Sequence, residues 1–161
     1  MKKYIVLAIL TVLVIAFASF DSKQRGESSA TTYNDSIEKD RAKYVAIVSD
    51  KIKGKENLPA DSVFKNIKMF NGIPAKRLLA IMNMGYSNSL GISCGHCHNT
   101  DDFASEEKKQ KEIARQMAAM NKEINNTLLK NITGLQSDPA IINCTTCHRG
   151  QLKPALDLAK K

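Results

Sequence analysis

The chain has 161 residues, a formal net charge of +8 and a mean hydropathy of −0.28. This length suits one small domain together with a targeting segment. The basic residues do not form arginine-rich clusters with interleaved aromatic residues, so we expect no nucleic acid among the partners. Four cysteines and three histidines are the residues best able to hold a metal or a cofactor.

The first residues of the chain have the pattern of an export signal. Lys2 and Lys3 precede an uncharged apolar run from Tyr4 to Phe20, and Ala16-Phe17-Ala18 fits the small-x-small cleavage rule. We therefore predict a signal peptide over residues 1–18 and a periplasmic or otherwise extracytoplasmic protein that is soluble after cleavage. An uncleaved N-terminal membrane anchor is the alternative, although the run is short for a bilayer span.

Polar residues 19–35 are rich in Ser and Thr, and they predict a flexible linker ahead of a domain over residues 36–161. Apolar residues from Ser36 to Lys53 recur at helical spacing, and Gly54 is placed to end that helix. The predicted apolar face consists of Ile37, Tyr44, Val45, Val48 and Ile52.

A second helix is predicted after the turn signal Asn71-Gly72. Pro74 suits its first position, and the helix is expected to run to about Leu90, with Gly91 as its terminator. The short buried segment that precedes the turn consists of Val63, Phe64, Ile67 and Met69.

A third helix is predicted from Ser105, a good capping residue that is followed by two acidic residues, to about Lys130. Its apolar residues recur on one face. They are Ile113, Met117, Met120, Ile124 and Leu128. Asp138-Pro139 is expected to open a last short helix that carries the second motif described below. Because no strand-like alternation longer than a few residues occurs, we predict an all-α fold.

Two motifs of the form C-x-x-C-H, Cys94–His98 and Cys144–His148, contain all four cysteines. This spacing is typical of c-type haem attachment, because two thiols three positions apart can each form a thioether with one porphyrin vinyl group. The adjacent histidine then supplies the proximal ligand of the iron. We predict two covalently attached haem c groups in a small, multihaem-cytochrome-like helical domain. The residues predicted to bind them are Cys94, Cys97, His98, Cys144, Cys147 and His148.

Three other uses of paired cysteines are less consistent with the sequence. A four-thiolate zinc site would need a shorter stretch between the two pairs. Two disulfides in an exported chain would leave the histidine after each pair unexplained. A redox C-x-x-C normally lies beside a βαβ pattern, which the sequence does not contain.

An electron-transfer haem generally has a second axial ligand, and methionine is the natural candidate because only His96 remains among the histidines. For the first haem the candidates are Met82 and Met84, which are about 200° apart around an α-helix and so cannot face the same iron. Met82 is preferred, since Gly85 shares its face and would let a flat porphyrin approach the backbone. Both methionines could instead pack the core.

For the second haem, Met117 and Met120 share one face of the third predicted helix, and either could reach an iron held at His148. They could equally be ordinary core residues of the apolar stripe. His96 is a weaker candidate, because a position inside the first attachment loop is more simply explained as an exposed loop residue.

Several segments around these motifs resemble one known family. They are Phe64–Ile67, Gly72–Pro74, Met82–Cys94 with its L-G-I-S-C block, Asp102–Ser105 and Cys144–Gly150. Together they cover about residues 60–155 and are similar to the photosynthetic reaction centre cytochrome c subunit family. The resemblance implies an electron carrier in which a helix before each C-x-x-C-H brings a methionine to the haem that follows.

This resemblance supports Met82 without settling its phase against Met84. It also favours Met117 over Met120, because a methionine on the helix after the first motif ligates the second haem in one half of the reaction-centre subunit. The chain departs from the family in having two motifs where that subunit has four haems. It also lacks the N-terminal lipidated cysteine of some members and a spare histidine for a bis-histidine haem. The resemblance therefore implies an electron carrier and does not indicate the pathway that it serves.

The predicted function is that of a dihaem c-type cytochrome, an electron carrier and not an enzyme. Its partners would be redox proteins, either acidic or part of a membrane complex, and no small-molecule substrate is expected. The alternative is a dihaem peroxidase-like enzyme or a haem-based sensor with one open iron site. Dihaem peroxidases resemble a larger two-domain arrangement, and a sensor would need an output module.

Overall fold

The computed structural model describes residues 34–157 of the chain. The residues from Ile37 onward belong to one compact unit. The predicted signal peptide over residues 1–18 lies outside the described residues, as does nearly all of the predicted linker. Within residues 34–157, no helix is long and apolar enough to cross a membrane.

Helix α1 spans residues 34–51, close to the helix predicted between Ser36 and Lys53. Ile37 near its start and Ile52 just after its end are buried, and the apolar residues between them are half-buried or at the surface. Gly54 follows with a φ of 77°, a conformation that glycine adopts without steric cost. The predicted apolar face and the predicted end of this helix therefore agree with the structure.

The N-termini of the next two helices are joined through their backbones. Helix α2 (Ala60–Val63) and helix α3 (Ala75–Ala80) each begin directly after a proline. The first residue of α2 donates its N–H to the carbonyl of Ile73 at 2.7 Å, and the first residue of α3 donates to the carbonyl of Leu58 at 2.9 Å. Both first residues are alanines with 0% exposure, and their small side chains allow this close approach.

Helix α3 does not continue as the regular α-helix that the sequence predicts. From Ile81 to Asn88 the chain forms a π-helix, and the helical segment ends at about residue 90, as expected. Because each π-turn contains more residues than an α-turn, the 200° separation assumed between Met82 and Met84 does not apply. Single π-helical stretches are frequent at functional sites.

Helix α4 (Lys109–Glu123) begins later than predicted, and the predicted capping role of Ser105 is wrong. Lys108 occupies the N-cap position, without a side-chain cap. The reason lies in the preceding loop, where the ammonium group of Lys111 donates hydrogen bonds to the carbonyls of residues 103–105. Those carbonyls are therefore held outside the helix.

The far end of α4 agrees with the prediction. The helix continues as a π-helix, Ile124–Leu128, and a 3₁₀ turn, Leu129–Asn131. Helix α5 (Cys144–His148) is the second motif itself, so the prediction that Asp138-Pro139 opens this helix is wrong. Asn143 caps this helix instead.

The described residues contain helices and turns and no β-strand, so the all-α prediction is confirmed for residues 34–157. Few apolar side chains are buried within this part of the chain. They are Ile37, Ile52, Ala60, Ala75, Leu78 and Ile92. Much of the remaining apolar surface of α1, α3 and the segment after α2 lines a cavity.

Candidate functional site

The first motif forms part of the wall of a cavity of about 510 Å³, a volume within the range of small-molecule and cofactor sites. Cys94, Cys97 and His98 line this cavity, and so does Met82 from the π-helix. Apolar side chains from the surrounding helices supply much of the remaining wall. They include Val45, Val48, Ile52, Val63, Leu78 and Leu79.

His98 is held in a defined orientation and tautomer. Its Nδ1 lies 3.1 Å from the carbonyl oxygen of Phe103, and because a carbonyl oxygen only accepts, Nδ1 carries the proton. The ring of Phe103 packs against the imidazole with 5.2 Å between the ring centroids, and Tyr44 contacts Phe103 edge-on at 5.8 Å. The lone pair of Nε2 is therefore available to a metal ion, in the arrangement usual for histidine ligands.

The electrostatic surroundings keep His98 neutral. Burial lowers the pKa of its imidazole, and the hydrogen bond to the Phe103 carbonyl acts in the opposite direction. The positive charges of Lys111 and Arg115 lower this pKa further, against a smaller raising effect of Glu106. A neutral imidazole is the form that ligates a metal.

The four cysteines form no disulfide among residues 34–157, and burial raises the pKa of the Cys94, Cys97 and Cys144 thiols. Within the described residues, no group of three or more His, Cys, Asp or Glu side chains is arranged to hold a metal ion. The two cysteine pairs therefore do not form a four-thiolate cluster, and the zinc alternative is not supported.

The second motif presents its histidine in the same way as the first. The Nδ1 atom of His148 lies 3.0 Å from the carbonyl oxygen of Gln151, so Nε2 is again the free nitrogen. Asn143 caps the helix through its side chain, which accepts the N–H of Thr146 at 3.1 Å, while the Thr146 hydroxyl accepts the N–H of Asn143 at 3.1 Å. Cys147 is exposed, and His148 is half-buried.

The segments beside the two motifs are in direct contact. The N–H of Gly150 donates to the carbonyl of Ser89 at 2.9 Å, and the hydroxyls of Ser89 and Thr145 share a hydrogen bond of 2.7 Å. Gly91 has a φ of 62°, and a Cβ atom at this position would lie 1.9 Å from the carbonyl oxygen of Gly150. Only glycine fits here, so the residue predicted to end a helix also joins the two motif regions.

Tyr86 lies between the two motifs. Burial raises the pKa of its phenol to about 12, and the thiols of Cys144 and Cys97 both add to this effect. Tyr86 is not among the candidate residues that the motifs and their spacing indicate. No spacing pattern could have revealed its position, because it depends on how α5 packs against the π-helix.

The two candidate methionines before the first motif, Met82 and Met84, lie in different environments. Met82 is half-buried and lines the cavity together with His98. Met84 is 54% exposed, does not line the cavity, and has its sulfur 4.0 Å from the guanidinium of Arg41. Gly85 does not line the cavity either, so its predicted role in porphyrin approach is not supported.

The candidate methionines on α4 are both at the surface, with Met117 40% and Met120 48% exposed. Their helix is tied to the chain just before the second motif. The side-chain amide of Asn125 donates to the carbonyl of Ile142 at 2.8 Å and accepts its N–H at 2.8 Å. His96 is half-buried and does not line the cavity of the first motif.

Each motif therefore offers two thiols and one histidine with a free Nε2, and the first adds an apolar cavity. This donor set fits covalently bound haem, and the arrangement defines the c-type cytochrome class. Comparison with known proteins gives the same class. Residues 16–156 match the model of the family described as photosynthetic reaction centre cytochrome C subunit. The chain belongs to this family.

Two curated relatives illustrate the similarity. The chain is 32% identical over 114 residues to the photosynthetic reaction center cytochrome c subunit of Rubrivivax gelatinosus, which covers 65% of this chain and 30% of that protein. It is 31% identical over 83 residues to cytochrome c-554 of Chloroflexus aurantiacus, which covers 52% of this chain and 20% of that protein. The matched regions thus span less than a third of either relative.

Proposed function

We propose that the protein is a dihaem c-type cytochrome that transfers electrons between redox partner proteins. The observation that carries this proposal is the shared geometry of the two motif histidines. In both, Nδ1 donates to a backbone carbonyl, at 3.1 Å for His98 and 3.0 Å for His148, which fixes the ring and leaves Nε2 for iron.

The first haem is bound through Cys94, Cys97 and His98, with Met82 as the distal ligand. The cavity that these four residues line supports this assignment, because its apolar wall suits a porphyrin face. A porphyrin in this cavity would also complete a core that contains few buried side chains. The exposure of Met84 and its contact with Arg41 argue against the alternative.

The second haem is bound through Cys144, Cys147 and His148. We propose Met117 as its distal ligand, with Met120 as the alternative, on the basis of the family resemblance and of the attachment of α4 near Ile142. The exposed apolar stripe on α4 is consistent with this, because a porphyrin beside α5 would cover part of it. His96 is a weaker alternative, because it lies inside the attachment loop of the first motif.

Haem iron, when bound, supplies reversible one-electron chemistry between its ferrous and ferric states. The part of the protein is then to orient the ligands and to control water. His98 is oriented by the carbonyl and the ring of Phe103, and the apolar side chains that line the cavity would shield a bound haem from water. His148 lies at the end of a capped helix nearer to solvent and is oriented by the carbonyl of Gln151.

The proposed partners have acidic surfaces. Lysines that are exposed and also line the cavity lie at its mouth. They are Lys51, Lys55, Lys65 and Lys68. Asp101 and Asp102 also line the cavity and offset part of this charge. The net positive mouth would steer an acidic redox protein, or an acidic subunit of a membrane complex, toward the edge of the first haem.

We also propose that the protein acts outside the cytoplasm after removal of residues 1–18. The N-terminal pattern supports this location, and covalent haem attachment in bacteria takes place outside the cytoplasm. An N-terminal membrane anchor is the alternative. Mass spectrometry of the mature protein distinguishes the two, because cleavage removes the first 18 residues.

The proposed function is tested on full-length protein expressed with haem-attachment machinery. A pyridine haemochrome assay counts covalent haem per chain, and reduced spectra are recorded with and without carbon monoxide. Two haems that do not bind carbon monoxide are expected. The matched variants Met82→Ala and Met84→Ala then test the distal ligand, and only Met82→Ala is expected to open one haem to carbon monoxide.

Other results would contradict the proposal in identifiable ways. Absence of covalent haem would overturn it and return the cysteines to disulfide or metal chemistry. Ready binding of carbon monoxide by one wild-type haem would favour the peroxidase-like or sensor function. Opening of a haem in Met84→Ala and not in Met82→Ala would move the distal ligand to Met84.

A further inference from the structure

The carbonyl oxygen of Phe103 accepts hydrogen bonds from two donors. One is Nδ1 of His98, at 3.1 Å, and the other is the ammonium nitrogen of Lys111, at 3.0 Å. The same ammonium group also donates to the carbonyls of Ala104 at 3.2 Å and Ser105 at 2.9 Å. Only 12% of the Lys111 side chain is exposed, so this cation is held in one place next to the partner of His98.

The position of Lys111 is fixed from its other side by Glu106, whose carboxylate lies 3.3 Å from the ammonium nitrogen. Glu106 is held in turn by two hydrogen bonds from Arg115, at 2.6 Å and 2.8 Å, and by Lys68 at 3.5 Å. Three cations therefore contact this carboxylate, which is 36% exposed, and of the three Arg115 also pairs with Glu112 at 3.0 Å. The positive charge at Lys111 is only partly neutralised.

The second motif has no equivalent of this cation within the part of the chain that the structure describes. The carbonyl of Gln151 accepts from Nδ1 of His148 at 3.0 Å, and no lysine or arginine side chain among residues 34–157 donates to it. The two histidines thus have the same hydrogen bond but acceptors of different electron density.

We propose that Lys111 is a positioning residue that raises the reduction potential of the haem at the first motif by polarising the carbonyl that orients His98. This inference rests on the proposed function. A cation on a carbonyl oxygen withdraws electron density from it, which weakens the hydrogen bond from the imidazole N–H. The imidazole then donates less charge to the iron, so the ferric state is less stabilised. The nearby positive charge acts in the same direction.

The test is the Lys111→Met variant in haem-loaded, full-length protein. Spectroelectrochemical titration gives the potential of each haem, and NMR of ¹⁵N-labelled protein follows the Nδ1–H resonance of His98. The first haem is expected to become harder to reduce by about tenfold in its redox equilibrium constant, which is about 59 mV for one electron. The second haem and the His148 resonance are expected to remain unchanged.

Lys108→Met is the matched control. Lys108 precedes α4 and donates from its ammonium group to the carbonyl of Gly95 inside the first motif, but it does not contact the Phe103 carbonyl. Lys108→Met removes one positive charge near the same haem without changing the hydrogen bonds of the Phe103 carbonyl. We therefore expect a smaller potential shift than in Lys111→Met and an unchanged His98 resonance. Lys111→Arg, which keeps the cation and can donate to the same carbonyls, is expected to restore most of the wild-type potential.

Glu106→Gln gives a second, independent result of opposite sign, which also serves if Lys111→Met folds poorly. Removing the carboxylate leaves the cations uncompensated, so the first haem is expected to become easier to reduce. Equal shifts in Lys111→Met and Lys108→Met, an equal shift of both haems, or no shift at all would each overturn the role of Lys111. Failure of the proposed function is separate, because it appears as missing covalent haem in the wild-type protein.

Discussion

The two motif regions contain the same C-x-x-C-H sequence but are built in different ways. The first lines a cavity of about 510 Å³ whose walls come from α1, α3, α4 and the loops between them. The second is a five-residue helix, Cys144–His148, with a reciprocal side-chain cap at its start and a cysteine exposed to solvent. Long-range packing shapes one region, whereas local hydrogen bonds and a few backbone contacts shape the other.

This difference teaches that the motif fixes the chemistry of attachment but not the environment of the iron. In both regions a backbone carbonyl orients the histidine, yet within residues 34–157 only the carbonyl of Phe103, of these two, also accepts from a lysine. Burial and hydrogen bonds to the ligating histidine are two of the properties by which a protein adjusts a haem potential. If each motif binds its proposed haem, the two haems are therefore expected to differ in reduction potential.

Removal of the two cysteine pairs would test this comparison with the largest expected effect. Replacing Cys94 and Cys97 by Ala is expected to lower the free energy of unfolding by more than about 4 kcal/mol, because an apolar cavity between three helices would lose its contents. Replacing Cys144 and Cys147 by Ala is expected to cost about half as much, since that region depends on local capping. Thermal unfolding of both double variants checks the order, and an equal loss would contradict it.

A second prediction concerns the contact between the two regions. Gly91→Ala is expected to cost more than about 3 kcal/mol of stability, because it combines a positive φ with a Cβ placed 1.9 Å from the carbonyl oxygen of Gly150. Gly72→Ala is the matched control, since Gly72 has a φ of 76° but open space around its Cβ direction. It is expected to cost about 1 kcal/mol. If chemical denaturation gives the same loss for both, the contact does not contribute.

Much of this architecture could be predicted from the sequence, because the signals are local. The spacing of the motifs, the apolar face of α1 and the end of that helix at Gly54 follow from side-chain type and period. The preference for Met82 is consistent with the cavity, although the α-helical geometry used to derive it does not hold. The π-helix depends on backbone bonds of a different span, which side-chain periodicity does not encode.

The remaining features depend on contacts between distant parts of the chain. Ser105 is a residue type that often caps helices. Lys111, however, donates to the Ser105 carbonyl and holds the surrounding loop outside the helix, so α4 begins at Lys109. Likewise, nothing in the sequence near Gly91 indicates that Gly150 will pack against it. The proposed effect of Lys111 on His98 could not be predicted from the sequence for the same reason. It acts through a backbone carbonyl, which any residue at position 103 would supply.

The third prediction acts on the second region alone. Asn125→Leu removes two hydrogen bonds of 2.8 Å to the backbone of Ile142, which precedes the second motif by a few residues. The loss is expected to cost about 1–3 kcal/mol, because it leaves the N–H of Ile142 without its partner, whereas the Ile142 carbonyl still accepts from the side-chain amide of Asn121 at 3.2 Å. The absorption spectrum of the second haem is expected to change while that of the first stays the same.

Asn126→Leu is the control for this change, because Asn126 lies next to Asn125 in the same π-helix and is exposed. It is expected to alter stability by less than about 0.5 kcal/mol. Parallel changes in both haem spectra of Asn125→Leu would show that the two regions are more strongly coupled than their contacts suggest.

The smallest expected effect is a pH dependence that belongs to the first region. Hydrogen bonds from Arg115, and then from Lys111, hold the pKa of Glu106 well below its ordinary value of 4.5. A carboxyl whose pKa is lower in the folded state contributes stability above its unfolded pKa and loses it as the pH falls. Acid unfolding below about pH 5 should therefore be less steep in Glu106→Gln than in the wild type. The difference should shrink with added salt, because the carboxylate is partly exposed.

Glu107→Gln is the control. It removes a neighbouring carboxylate that forms no ion pair among residues 34–157, and it should leave the acid profile unchanged. Equal changes in the two variants would show that the effect comes from surface charge in general and not from the ion pairs of Glu106.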